Sequence, residues 1–327
     1  MPKQIISDDV FIKTWNTLNS PSKVSEVLGL NLRTVNTQRR NIEKRYNIIL
    51  GTNPYKADTE SNIDPKSAKI VTNNRKDVIK LDVQDGIVVI GSDCHYTPNH
   101  IPTAHKAMCN VIVDLGTKVR AIILNGDVLD GGTISRHPET RFGTKPTLFQ
   151  ELEAVQERLG DFEKIARGAR LLRTIGNHDL RMSAKLVQNS PQYEGVCRTL
   201  VDYIPLWKEA LRIEINLDTI VIHDWHFGVH SGWNDVLKSG GFNVITGHTH
   251  ELSVKGHRGF GGTKYGIKTG MIADEFQSEF DYRMGKPGFN WQSGFVVLTF
   301  KDGMMLYPEI CAVRDDGHAY FRGIRYA

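Results

Sequence analysis

Five short groups of residues between Ser92 and His250 carry side chains of the types that can bind metal ions. They are Ser92-Asp-Cys-His95, Gly126-Asp-Val-Leu-Asp130, Gly176-Asn-His-Asp179, a histidine within Val221-Ile-His-Asp-Trp-His-Phe-Gly-Val-His230, and Gly247-His-Thr-His250. A mixture of carboxylates, imidazoles and an amide oxygen suits Mn²⁺, Fe or Zn²⁺ better than an all-oxygen ion such as Ca²⁺. Mn²⁺ is the first expectation.

Each group has its own logic. Residues two apart at an extended strand end face the same way, so Asp93 and His95 are expected to grip one ion from one side, and His248 and His250 to act as a second such pair. Gly126 permits a tight exit from its strand, leaving Asp127 to offer one oxygen to each of two cations, with Asp130 in support. Asn177 offers an amide oxygen beside His178, which is left unligated. One further ligand comes from His223, His226 or His230. His223 is favoured because it ends a strand, as the other groups do.

Any one group reads equally well as a turn or helix cap built from Asp, Gly and Asn. Five in series, each where an apolar strand gives way to a loop, point to a metal site at one edge of a sheet, where sites in open α/β folds assemble.

The elements that must position them follow from the apolar pattern. Val78-Ile-Lys-Leu-Asp-Val-Gln-Asp-Gly86 alternates, meets an Asp-Gly turn and runs into Ile87-Val-Val-Ile90, which predicts a hairpin. A helix is expected near Thr103 to Leu115, a strand over Ala121 to Leu124, a long helix around Leu148 to Ala169 and a strand over Leu171 to Ile175. Strands follow at Thr219 to Ile222, Asn243 to Thr246 and Phe295 to Phe300. The alternation implies an α/β fold.

With these motifs on view, residues 87 to 310 resemble the calcineurin-like metallophosphoesterases, whose signature is Asp-x-His, Gly-Asp-x-x-Asp, Gly-Asn-His-Asp, a strand-end His and Gly-His-x-His. The resemblance implies a β-sandwich flanked by helices and a pair of divalent cations. One is held by Asp93, His95, Asp127 and His250, and the other by Asp127, Asn177, His223 and His248, with Asp127 bridging. It further implies hydrolysis of a phosphate ester by in-line attack of a metal-bridging hydroxide, the two ions clamping the reacting oxygens. His178 is the expected proton donor and Asp130 its orienting partner. Arg136, His137 and Arg181 lie just beyond the motifs as substrate contacts. Trp225, Trp233 and Trp291 are candidates for base stacking or core packing. Departures from the pattern are Cys94 inside the first motif and Asp224 where Gly commonly follows the strand-end His. Asp130-Gly-Gly-Thr-Ile-Ser-Arg-His137 and Phe289-Asn-Trp-Gln-Ser-Gly-Phe295 look like members encoded by tailed bacteriophages, and SbcD-like nucleases are further relatives by resemblance.

Three short helices are expected over residues 8 to 48, with Val10, Trp15, Leu18, Val24, Val27, Leu28, Leu32, Val35, Ile42 and Tyr46 among their inward positions. The third resembles the recognition helix of LuxR-type regulators and sigma factors. Arg33, Thr34, Asn36, Thr37, Arg39 and Arg40 would then face DNA. The first fifty residues hold eight Lys or Arg against four Asp or Glu, an excess as large as the whole chain's net charge of +4. Residues 1–50 are read as a helix-turn-helix domain, 51–77 as a polar linker and 78–327 as the metallophosphoesterase domain.

The longest apolar runs are too short to span a bilayer and no signal-peptide run is evident, so the expected location is the cytoplasm, the host's if phage-encoded, without membrane partners. The four cysteines are scattered and read as reduced thiols. DNA is the expected partner, with a protein partner or a second copy as other possibilities. Three functions compete: a DNA-directed phosphodiesterase, a nucleotide or small-molecule phosphatase or cyclic-nucleotide phosphodiesterase with a docking or regulatory N-terminal module, and a DNA-binding regulator with an inactive domain. The complete ligand set argues against the third.

Overall fold

The computed structural model describes residues 6–18, 21–46, 48, 50, 69–72, 77–136, 145–193, 196–225, 231–277, 280 and 290–327. Contacts divide the chain into two compact units, Met1–Ile63 and Asp64–Ala327.

The first unit contains α1 (Asp8–Leu18), α2 (Pro21–Leu28) and α3 (Leu32–Tyr46). Phe11, Trp15, Val24, Val35, Ile42 and Leu50 form its core. Asn31 Oδ1 accepts the Thr34 N–H at 2.8 Å and caps α3, while Gly29 adopts φ 63° just past the end of α2. Four expected inward positions, Val10, Val27, Leu32 and Tyr46, are exposed instead. The face of α1 is set by Phe11 and Trp15, four residues apart and stacked at 5.8 Å, which turns Val10 outward. Arg33, Thr34, Thr37 and Arg40 are exposed and Asn36 is half-buried. Arg39 differs from its expected outward placement: its guanidinium lies 5.3 Å from the Trp15 ring and pairs with Glu43 at 3.4 Å.

The second unit is built on two sheets. The smaller holds β1 (Lys69–Thr72), β2 (Val78–Asp82), β7 (Arg212–Ile215), β8 (Thr219–Ile222), β9 (Asn243–Thr246), β10 (Leu252–Gly259) and β11 (Gly262–Thr269), in the order β1-β2-β7-β8-β9-β11-β10. The larger contains β3 (Gly86–Gly91), β4 (Val119–Asn125), β5 (Arg170–Thr174), β6 (Lys208–Ala210), β12 (Gly294–Lys301), β13 (Met304–Met305), β14 (Glu309–Val313), β15 (Ala319–Phe321) and β16 (Ile324–Arg325). Its order is β16-β15-β14-β12-β3-β4-β5-β6, with β13 on β12. The run β3-β4-β5-β6 is parallel. Helices α4 (Thr103–Leu115), α5 (Leu148–Ile165), α6 (Leu180–Asn189), α7 (Leu200–Tyr203) and α8 (Ser231–Lys238) complete the unit.

Period-two alternation decides which side each residue serves. Val88 and Ile90 of β3, Ala121 and Ile123 of β4, and Val296, Leu298 and Phe300 of β12 meet Ile213, Ile215, Val221, Ile245 and Ile267 of the smaller sheet. The intervening residues Ile87, Val89, Ile122, Leu124, Phe295 and Val297 join the other face, against Met108, Val111 and Ile112 of α4 and Val155, Leu159 and Phe162 of α5. The strands are apolar on both faces because both faces are covered. The result is a mixed α/β unit of packed sheets flanked by helices.

Two expectations change. β2 and β3 do not form a hairpin. β2 pairs with β1 and β7, and β3 with β4 and β12, so the chain crosses between sheets at Val83–Asp85. The segment read as a linker contributes β1, antiparallel to β2. Among the described residues, no helix is long and apolar enough to cross a membrane.

Candidate metal centre

All five groups leave the carboxyl ends of strands: Asp93 and His95 follow β3, Asp127 and Asp130 follow β4, Asn177 to Asp179 follow β5, His223 follows β8, and His248 and His250 follow β9. Backbone bonds join the loops. Asp93 N–H donates to Gly126 O at 3.0 Å, Cys94 N–H to Asp127 O at 2.8 Å, and Gly247 N–H to His223 O at 3.1 Å.

The expected extended strand ends are not what orients the ligands. Asp93 (φ 51°), His95 (40°), Asp127 (53°), His248 (65°) and His250 (58°) all occupy left-handed backbone. This conformation costs an L-residue roughly 1–3 kcal/mol, and it persists where surrounding contacts over-determine the loop. It turns each side chain inward from a tight bend, which a continuing strand would not do.

Two clusters result. Asp93, His95 and His250 form one, and Asp127, His223 and His248 the other, with the candidate donor atoms of each within 4.8 Å of one another. His250 Nε2 lies 3.3 Å from Asp93 Oδ1, and His223 Nε2 lies 3.1 Å from Asp127 Oδ2. Asn177 Oδ1 meets His248 Nδ1 at 2.9 Å. Asp93 also accepts the His248 N–H at 3.0 Å, and Asp127 Oδ1 accepts the His178 N–H at 2.8 Å, so each carboxylate is anchored by the neighbouring motif.

The donor set fits divalent cations on an independent observation. His95 uses Nδ1 on Asp130 Oδ1 at 3.1 Å, and His223 uses Nδ1 on Asn125 O at 2.6 Å. Both Nε2 atoms are buried; that of His95 has no hydrogen-bond partner among the described residues, and that of His223 faces the Asp127 carboxylate at 3.1 Å. A ring fixed through one nitrogen, with the other presented to buried carboxylates, is how imidazole is prepared for a metal. Burial works against a charged His223, yet the charges of Asp127 and Asp93 outweigh it and raise its pKa to about 10. Asp127 is held well below the usual carboxylate range despite burial, chiefly by His223. A proton on His223 thus supplies positive charge where a cation would otherwise do so, and metal binding would displace it. His248 is lowered by burial and by the nearby His223 charge.

A third cluster, His95, Asp130 and His178, adjoins the first. Asp130 Oδ1 lies 3.1 Å from the Nδ1 of both histidines, linking the expected ligand to the expected proton donor. Burial opposes ionisation of Asp130, but the bonds to His178 and His95 depress its pKa strongly. For His178, burial lowers the pKa while Asp130 and Asp127 raise it, with a net upward shift. Arg181 donates from Nη1 to Asp130 O at 2.7 Å and from Nη2 to His178 Nε2 at 2.9 Å. Arg181 therefore belongs to the cluster. Arg136 is exposed beyond the turn Gly132–Ile134, and His137, His226 and His230 lie outside the described residues.

Several contributors were missed by sequence reasoning. Asp179 closes the Gly-Asn-His-Asp motif and is buried. Its Oδ2 accepts N–H bonds from Asp127 and Gly176 at 3.0 Å, and its Oδ1 from Val128 at 3.0 Å and Leu129 at 3.3 Å. Arg173, also buried, reaches Asp179 at 3.3 Å and pairs with Glu209. Burial and the charge of Asp127 push the Asp179 carboxyl upward against the pull of Arg173. Ser92 Oγ donates to Asp93 Oδ2 at 2.5 Å. Glu151 of α5 accepts the Gly131 N–H at 2.8 Å and holds the loop after Asp130. A motif position next to a glycine was the available signal: a Cβ on Gly176 would overlap the Asp127 carboxylate, and one on Gly126 the His223 ring.

Phe280 and Trp291 back the first cluster. Phe280 is 5.3 Å from His95 and 5.4 Å from His250, and Trp291 is 4.4 Å from His250. Trp291 is thus a packing residue of the centre, while the exposed Trp233 donates to His257 at 2.8 Å and Trp225 O lies 3.5 Å from Lys268 Nζ. Cys94 is buried in the helix-side core, where desolvation pushes its thiol well up, and its side chain takes no part in the donor set. All four cysteines are free thiols.

No family model matches the chain, and no curated protein matches it. Among solved structures it is similar to vacuolar protein sorting 29 of Cryptosporidium parvum, at 14% identity over 75% of this chain and 99% of that one, with a TM-score of 0.40. It is also similar to wild-type Vps29 of Entamoeba histolytica complexed with Zn²⁺, at 13% identity over 74% and 99% of the two chains and a TM-score of 0.38. A conserved protein of Streptococcus pneumoniae described as a predicted phosphoesterase matches at 14% identity over 74% and 97%, with a TM-score of 0.34. With every score below 0.5, the site itself has to support the functional reading.

Proposed function

We propose that this chain is a two-metal-ion phosphoesterase of the calcineurin-like type, directed at the phosphodiester bonds of DNA. The observation that carries it is the adjoining pair of clusters Asp93/His95/His250 and Asp127/His223/His248, with buried ring nitrogens presented to carboxylates. Asp93, His95, His250 and Asp127 would hold one cation, and Asp127, Asn177, His223 and His248 the other, Mn²⁺ being the first choice. Bound there, divalent ions supply Lewis acidity and a water of lowered pKa. His178, oriented by Asp130, is the proton donor to the departing oxygen once its Nε2 parts from Arg181. Arg181 then offers its guanidinium to phosphate oxygens.

The DNA target is supported by the charge of α3, on which Arg33 and Arg40 are exposed. A second reading, a nucleotide or small-molecule phosphatase, is favoured by a cleft of about 760 Å³ lined by Thr97, His100 and Asp274, a volume that suits one nucleotide.

The test is a panel of linear, nicked and single-stranded DNA, bis(p-nitrophenyl) phosphate and mononucleotides, assayed with Mn²⁺, Fe²⁺ and Zn²⁺. Metal-dependent DNA cleavage is expected, with His178→Ala lowering kcat by about 10²–10⁴-fold at unchanged metal content. Absence of hydrolysis of every ester with every metal sinks the phosphoesterase reading. Turnover of mononucleotides alone, unaffected by removing residues 1–50, transfers it to the second.

A further inference from the structure

We infer that the cleft beside the metal centre is a nucleoside-binding subsite, in which the base of the substrate stacks on Phe276 and its phosphate end meets Lys145. The inference rests on the phosphoesterase reading above and names a part of the substrate which that reading leaves open.

The cleft is lined by Thr97, Asn99, His100, Lys145, Asp274 and Phe276 among others, and its volume of about 760 Å³ falls in the range of small-molecule sites. It is continuous with the centre through the chain. Thr97 lies two residues beyond His95. Asp274 follows Ala273, whose N–H donates to Asp93 O at 3.2 Å. The turn from Asp274 is closed by Gln277 N–H on Asp274 O at 3.2 Å and Phe280 N–H on Gln277 O at 3.0 Å. That turn places Phe280 against His95 and carries Phe276 on the lip of the cleft.

Phe276 is 92% exposed, although every neighbouring aromatic of the centre is packed on a ligand ring. A large apolar ring left at the mouth of a polar cleft is a platform for a flat ligand, since any nucleobase offers a π-face to it. The cleft lining includes both a cation and a carboxylate. A Cβ on Gly132 would come within 3.0 Å of Asp130 Oδ2, 3.5 Å of Glu151 Oε1 and 3.7 Å of Lys145 Cδ, so the Lys145 stem lies near the carboxylates of Asp130 and Glu151. Asp274 is held by His100 at 2.8 Å and by the Thr103 N–H at 3.1 Å, leaving lone pairs to accept from a sugar hydroxyl or a base amino group. A cation, an acceptor and an aromatic lip within one cleft are complementary to a nucleoside phosphate. An inorganic or simple alkyl phosphate would use only the first of these features.

Metal-loaded protein is titrated with the hydrolysis-resistant methylenephosphonate analogues of adenosine and thymidine 5′-monophosphates and of the base-free ribose 5-phosphate. Stacking on an aromatic ring corresponds to roughly 5- to 150-fold in affinity, so at least one nucleoside analogue is expected to bind about 10-fold or more tightly than the base-free one. Phe276→Ala should remove most of that ratio, while Lys145→Ala weakens base-bearing and base-free ligands by similar factors. Phe276 is at the surface, so its truncation is compatible with folding, which the melting temperature checks. Equal affinities for base-bearing and base-free ligands overturn the inference. So do a preference that survives Phe276→Ala and an absence of binding by any of the three. Because binding is read without turnover, a protein that prefers nucleosides yet hydrolyses nothing retains the subsite and loses only the enzymatic reading.

Discussion

Replacing Asp179 by Asn tests whether the metal loops are held by one buried carboxylate. The side chain is nearly isosteric, so packing is unchanged, but an amide has one acceptor oxygen where the carboxylate has two. Oδ1 and Oδ2 each serve two backbone donors, from Val128 and Leu129 and from Asp127 and Gly176. Whichever way the amide is turned, two buried N–H groups face an NH₂ and lose their acceptor. Each costs about 1–3 kcal/mol, giving about 2–6 kcal/mol. Arg173 keeps Glu209 and adds less. At roughly 2–4 °C per kcal/mol for a unit of this size, the melting temperature of the metal-free protein should drop by about 8–16 °C for a mid-range loss of about 4 kcal/mol. The donors belong to the loops of Asp127 and Asn177, so metal affinity should also fall by at least about tenfold, as second-shell changes do. Thermal denaturation in chelator, followed by metal titration monitored calorimetrically, reads both. A melting temperature within about 2 °C of wild type together with metal affinity within about twofold would refute the assignment of Asp179 as the tether.

Other outcomes follow from the same geometry. In chelator, the raised His223 contributes stability that is full below its unfolded value of about 6.5 and is lost as pH rises through about 10, whereas depressed Asp127 contributes above about 3.9 and loses that only in acid. The metal-free protein should therefore melt at falling temperatures from pH 7 toward about pH 10, and saturating Mn²⁺ should flatten the slope and release protons, seen as buffer-dependent binding enthalpy; a flat profile in chelator contradicts the pairing. Gly176→Ala puts a Cβ into the Asp127 carboxylate and should abolish tight metal binding, while Gly160→Ala, open on all sides within α5, should raise stability by up to about 1 kcal/mol; equal effects in metal titration and melting would rule out the close approach as a cause. The fully buried Lys268–Asp235 pair, 2.9 Å apart, predicts that Lys268→Met alone costs about 3–5 kcal/mol and that adding Asp235→Leu restores part of it, measured by urea denaturation; additive losses would count against it. On the proposed DNA reading, Arg33→Ala together with Arg40→Ala should reduce the salt slope of DNA binding by about 1.8, and an unchanged slope would count against a role for α3 in it.

The strands that end at the centre were legible because their apolar runs are confined and their ends carry unusual polar residues. Thr219–Ile222 and Asn243–Thr246 are found where the pattern puts them. What misled the reading was the assumption that neighbours in sequence pair in space. β2 and β3 look like a hairpin, and only the apolar partners offered by β7 and β4 separate them into different sheets. The same local bias placed Val10 and Tyr46 inward, although a three-helix unit has too small a core to bury every apolar position.

Residue types and spacing determined the chemical inventory: which carboxylates, imidazoles and amide could bind a cation, and that each follows a strand. They could do so because ligand identity and strand periodicity are local properties. Tertiary structure decided how those groups point and what holds them. The left-handed turns at Asp93, Asp127 and His250, the Nδ1 anchors of His95 and His223, and the bonds gathered by Asp179 join segments distant in sequence. Such contacts depend on the packing of two sheets against each other, which no local pattern encodes.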